Sequence, residues 1–109
     1  MAYDEGLAQI VREFLEEKPT YIEKKMFGGI GYLLQGNMAC GIINNDLIVR
    51  VGPANYEDAL KLPHSREFDF TGRPMKGWVM VSSDGVDSEE VILKWVNKGV
   101  DFALSLPPK

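Results

Sequence analysis

His64 is the one histidine of the chain and the one side chain whose ordinary pKa lies near neutrality, which makes it the natural candidate for a general base. A base has to be held in place by a neighbouring group, and none is visible beside it. It follows Pro63, so a plain surface-loop histidine is the competing reading. Cys40 is the only cysteine, which rules out an internal disulfide and a Cys-rich zinc set. It lies between Ala39 and Gly41 in an apolar run, whereas a reactive thiolate needs exposure and nearby positive charge. Burial as a small hydrophobe is therefore expected, unless its strand lies at a sheet edge. Glu67 and Asp69 would project to one side of an extended segment about 7 Å apart, a spacing compatible with paired acid-base work. They alternate with Phe68 and Phe70, and a solvated outer sheet face explains that alternation without chemistry.

Two glycine-rich segments are more distinctive. Lys24-Lys25-Met26-Phe27-Gly28-Gly29-Ile30-Gly31-Tyr32 is followed some forty residues later by Gly72-Arg73-Pro74-Met75-Lys76-Gly77-Trp78. Gly28-Gly29-x-Gly31 invites a phosphate-loop reading, but such loops hold their anion at the start of a helix, and a strand pattern follows here. Glycines placed for a bulge or a close backbone approach fit that context better. Gly72 and Pro74 would hold Arg73 in a defined turn, where it could recognise an anion or carboxylate, or else pack over Trp78. Met26, Phe27, Gly28 and Gly29, together with Arg73, Pro74, Met75 and Trp78, make the candidate interaction surface, since methionine and aromatics are enriched where proteins dock. The same side chains could instead be a buried seam. No catalytic set, cofactor site or metal site is expected.

The 109 residues are enough for one domain with its own core. An apolar fraction of 45% and a charged fraction of 26% argue for a globular fold rather than disorder. The net charge of -4, with no clustered basic face, disfavours direct binding to duplex DNA. No apolar run reaches the ~18 residues of a membrane span, and the acidic N-terminus is unlike a secretory signal. A cytoplasmic protein without membrane association is expected.

These side chains must be positioned by a mixed fold. Leu7, Ile10, Val11, Phe14 and Leu15 recur at helical spacing, with Pro19 marking the stop. Turn residues then bound three strands, Gly29–Leu34, Met38–Ile43 and Leu47–Val51, joined as an antiparallel meander. A piece of Tyr21–Met26 either adds an edge strand or leads in. A brief second helix carries Tyr56, Ala59 and Leu60 and cannot pass Pro63. A strand through Phe68 and Phe70 pairs with Trp78–Ser82 as a hairpin. Asp87 and Glu90 form a capping-box-like start to a last helix, whose apolar stripe runs from Val91 to Leu106 before Pro107 and Pro108. Gly99, unfavourable within that helix, marks a close approach. The order α-β-β-β-α-β-β-α gives an α+β single domain, an antiparallel sheet with packed helices.

Met26-Phe27-Gly28-Gly29, the Leu47–Val51 strand, Gly72-Arg73-Pro74-Met75 with Gly77-Trp78, and Leu93-x-Trp95 together resemble the TfoX/Sxy N-terminal domain family, particularly its short, stand-alone members. The resemblance spans nearly the whole chain. It implies a small α+β domain related to secretion-chaperone-like folds, and it carries no known catalytic site. Longer members resemble regulators of natural competence that work with the cyclic-AMP receptor protein at promoters and carry a further C-terminal helical domain, for which this chain has no room.

The leading expectation is a non-enzymatic bacterial regulatory or protein-interaction module with an unidentified protein partner. A small-molecule or anion-binding domain, or an enzyme, built around a cleft of Arg73, His64 and the Gly28-Gly29 turn is the alternative. Self-assembly as a homodimer is a third.

Overall fold

Asp4 starts α1 (Glu5–Leu15): its carboxylate accepts a hydrogen bond from the Leu7 N–H at 3.1 Å, satisfying an amide that the first helical turn leaves free. Leu7, Ala8, Val11 and Leu15 then form one buried stripe. The chain continues through β1 (Tyr21–Met26), β2 (Gly29–Leu34), β3 (Asn37–Ile43) and β4 (Asp46–Arg50). A 3-10 turn at Pro53–Asn55 leads into α2 (Tyr56–Leu60), and β5 (Ser65–Glu67), β6 (Trp78–Val81) and α3 (Glu89–Ser105) complete the chain. This computed structural model describes residues 4–18, 20–26, 28–69, 72, 75–85 and 88–108, with the backbone alone at 26 and 84.

The strands form one six-stranded sheet in the order β1-β2-β3-β4-β6-β5, with every pairing antiparallel. The architecture is α+β, as read from the pattern. Tyr21–Met26 resolves as a full edge strand, so six strands stand where the element order counted five. The last hairpin also differs in extent: β5 ends at Glu67, and the chain leaves the sheet there. Phe68 keeps the face that alternation from Arg66 gives it, packing with Ile48 and Met80, and its carbonyl accepts from the Met75 N–H at 3.0 Å. Phe70 lies outside the described residues. The cap of α3 is Ser88, whose hydroxyl accepts from the Val91 N–H at 3.3 Å; Asp87 lies outside the described residues.

Both long helices cover one face of the sheet. Ile92, Trp95, Val96, Val100 and Ala103 of α3 meet Cys40, Ile42, Leu47, Val49, Val79 and Val81, and α1 joins the same core. Burying each such aliphatic side chain contributes on the order of 1.5–3 kcal/mol. Gly99 is where α3 comes nearest: a Cβ there would collide with the Ala39 carbonyl oxygen. Tyr32 reaches from β2 to α1, its hydroxyl donating to the Ala8 carbonyl at 3.2 Å, and burial first of all pushes its pKa well above the ordinary value. Arg12 pairs with Glu23 of β1 at 3.0 Å, tying α1 to the edge strand. A smaller cluster of Ile43, Ile48, Phe68 and Met80, flanked by Met75 and Trp78, occupies the opposite face.

Candidate functional site

The sheet face without a helix is built from cross-strand rungs. Strand alternation sends Tyr21 and Glu23 toward α1, so Ile22 and Lys24 point the other way. Lys24 pairs with Gly31, Gly31 with Gly41, Gly41 with Ile48, Ile48 with Met80 and Met80 with Arg66, which makes one rung across all six strands. Its first half is paved by two glycines. The neighbouring rung is Ile22, Leu33 and Met38, one residue from each of β1, β2 and β3.

A bulge creates that second rung. The register slips between Tyr32 and Leu33: Tyr32 pairs with Cys40 and Leu33 with Met38, leaving Ala39 as the extra residue. Ala39 and Cys40 are both fully buried, and Met38 is turned outward beside Leu33. The Met38 methyl lies over Gly41, 2.9 Å from where a Cβ would stand, so the methionine fills the space the glycine leaves. Leu33 and Met38 are half-buried, and Ile22 is 49% exposed.

The two expected glycine-rich segments both reach this face. Gly28, at φ +74°, makes the turn between β1 and β2 in a conformation that favours glycine. Gly29 abuts the backbone of Ile42 and Ile43, so closely that a Cβ would collide with the Ile42 carbonyl. Ile43 in turn belongs to the cluster against which Met75 and Trp78 pack. Met75 and Trp78 are thus half-buried cover for that cluster and not free side chains. The Met26 backbone pairs with Gly29. Its side chain, and Phe27, Arg73 and Pro74, lie outside the described residues.

Arg50 was missed as a site residue. It is the direct cross-strand partner of Trp78, and its guanidinium carbon lies 5.4 Å from the Trp78 ring centroid and 5.2 Å from that of Phe102 in α3. The arginine described over Trp78 is therefore one that β4 supplies through register. Only the pairing of β4 with β6 reveals it.

The groups with acid-base chemistry are dispersed. Cys40 is fully buried, and loss of hydration pushes its thiol up to about 12, which makes it an inert core residue at neutral pH. Glu67 accepts from the Tyr56 hydroxyl at 3.2 Å, whereas Asp69 lies beyond the strand, its carbonyl accepting from Gly72 N–H at 2.8 Å. They do not share a strand face. His64 is exposed beside β5, at the edge opposite the Gly28–Gly29 turn between β1 and β2. Four strand spacings of ~4.8 Å separate β2 from β5, so His64 and that turn cannot act within one cleft. Among the described residues, no group of three His, Cys, Asp or Glu side chains is placed to hold a metal ion, and no helix is long and apolar enough to cross a membrane.

A small α+β domain with helices on one sheet face and a partly open apolar rung on the other is the class that this geometry defines. The model of the TfoX N-terminal domain matches residues 13–103, and the chain belongs to that family. No curated protein and no solved structure matches it.

Proposed function

We propose that this chain is a non-enzymatic bacterial regulatory module that docks a protein partner on the helix-free face of its sheet. The observation that carries the reading is the Ile22, Leu33 and Met38 rung, three apolar side chains in register on adjacent strands and all partly open to solvent. Apolar surface left open in this way gains free energy when a partner covers it, and the unbranched methionine can adapt its shape. Competence-related control of transcription is the setting that the family suggests. The net charge of -4 fits a role in which promoter DNA is reached through the partner.

The test compares the tagged wild-type chain with an Ile22→Glu, Leu33→Glu double variant in capture from lysate of its own host, after nuclease treatment. The reading expects one protein retained by the wild type and lost by a variant that keeps its unfolding midpoint. Mass in solution shows whether the partner is a second copy of the chain. Equal capture by both forms would remove the rung from the account.

A further inference from the structure

Strand pairing assigns every charged strand residue to one face of the sheet. Glu23 stands opposite Tyr32, Lys25 opposite Ile30 and Glu67 opposite Val79, all on the helix side with the main core. Lys24 stands in the rung that leads through Gly31 and Gly41 to Ile48, Asp46 opposite Ile43, Arg50 opposite Trp78 and Arg66 opposite Met80. Those four belong to the helix-free face with the smaller cluster. One acid thus accompanies three cations there, on a chain with 16 acidic and 12 basic residues.

That one acid is already engaged. Asp46 pairs with Arg66 at 3.3 Å and accepts from the Ser83 N–H at 3.2 Å. Behind the sheet, Glu23 is held by Arg12 and Glu67 by the Tyr56 hydroxyl. In the connection between β5 and β6, the charged residues among those described are Asp69 and Lys76, which cancel. Lys24 and Arg50 are left without an ion pair or a side-chain hydrogen bond to any described residue.

Arg50 is held in place without being neutralised. Its guanidinium lies over the rings of Trp78 and Phe102, and Gly52, at φ +87°, makes room for Phe102, whose ring a Cβ at 52 would strike. Aromatic rings engage the flat faces of a guanidinium and leave its in-plane N–H donors to meet a carboxylate. The pairing of Cys40 with Val49 sets Arg50 level with the bulge at Ala39, next in line after Met38. Lys24 on β1 and Arg50 on β4 therefore bracket Leu33 on β2 and Met38 on β3. Three strand spacings put them roughly 14 Å apart across the sheet.

We propose that the partner docks through an acidic amphipathic segment, its apolar side chains over Ile22, Leu33 and Met38 and its carboxylates over Lys24 and Arg50. This rests on the docking reading above and adds the partner's chemistry to it. Two cations with no acid of their own select carboxylates and oppose a basic segment.

The test selects peptides on the immobilised chain from a phage-displayed random dodecapeptide library and titrates the resynthesised winners by fluorescence anisotropy. The winners are expected to carry Asp or Glu beside apolar residues. Their amide forms, with Asn and Gln in those places, are expected to bind at least about fivefold more weakly. A Lys24→Gln, Arg50→Gln variant with an unchanged unfolding midpoint should bind both forms alike, whereas Lys94→Gln, Lys98→Gln in α3 keeps the difference. Raising the salt concentration on the wild type, a check that needs no variant, should weaken the acidic form and spare the amide form. No winners, neutral winners, equal affinity of the two forms, or a difference that survives the loss of Lys24 and Arg50 would each overturn the acidic partner. An Ile22→Ser, Leu33→Ser variant tests the docking reading separately. Neutral winners that lose binding to it would leave the rung a docking surface without selected acids, and acidic winners that keep full binding to it would overturn both.

Discussion

Ile22 of β1 and Leu33 of β2 are direct cross-strand partners on the side of the sheet that carries no helix, and Leu33 is in turn opposite Met38 of β3. The three are brought together by pairing across 17 residues of chain, and the extra residue at Ala39 puts Leu33 and Met38 side by side. An apolar rung of this kind is a property of register.

The glycine pavement beside that rung should tolerate no side chain at Gly41. A Cβ there would stand 2.8 Å from the Ile30 carbonyl oxygen and 2.9 Å from the Met38 methyl. The methyl can move away, but the carbonyl belongs to the adjacent strand. Gly41→Ala is expected to lower stability by about 1–3 kcal/mol, read as a lower urea midpoint at unchanged slope.

Gly99 gives a prediction whose sign is diagnostic. In an exposed helix interior, glycine to alanine gains about 1 kcal/mol. Here the added methyl would collide with the Ala39 carbonyl and hold α3 off the sheet. Gly99→Ala should therefore be destabilising by about 2 kcal/mol or more in chemical unfolding. A stabilised variant would mean that α3 does not sit on β3 at this distance.

Cys40 should impose a pH dependence on stability. Its thiol titrates near pH 8.5 in an unfolded chain and is pushed up to about 12 by burial in the folded one. The folded state then favours the neutral form, so this contribution is full below about pH 8.5 and is lost as pH rises toward 12. Between pH 9 and 10 it falls by roughly 1.4 kcal/mol per unit. Unfolding midpoints of the wild type should drop faster over that interval than those of Cys40→Ala, and the native thiol should resist aromatic disulfide reagents at pH 8.

Much of the fold was legible because it is written in local period. Leu7 to Leu15 and Val91 to Leu106 carry helical stripes, and Gln35-Gly36-Asn37 and Asn44-Asn45-Asp46 bound strands that do pair as a meander. Gly99 announced a close approach for the right reason, since nothing else recommends glycine in mid-helix. What was less legible depended on partners distant in sequence. Tyr21–Met26 carries Glu23, Lys24 and Lys25, charges that suit an edge strand and blur its alternation. β5 pairs with β6 only through Glu67, and the Phe68 carbonyl is taken by the Met75 N–H while its ring stays beside Ile48 and Met80. Of the residues expected to form a surface, the Gly28–Gly29 turn, Met75 and Trp78 lie on the helix-free face. Ile22, Leu33, Met38 and Arg50 were not found, since their significance lies in which residue stands opposite each of them.

The most direct test of the proposed docking role places a photo-activated benzoylphenylalanine at position 33 in host cells, with the same group at position 9 on the exposed side of α1 as the control. The account predicts a discrete adduct to one protein from position 33, absent from position 9 and abolished when Ile22→Glu and Met38→Glu are added. Adducts of equal yield from both positions, or none from position 33, would contradict it.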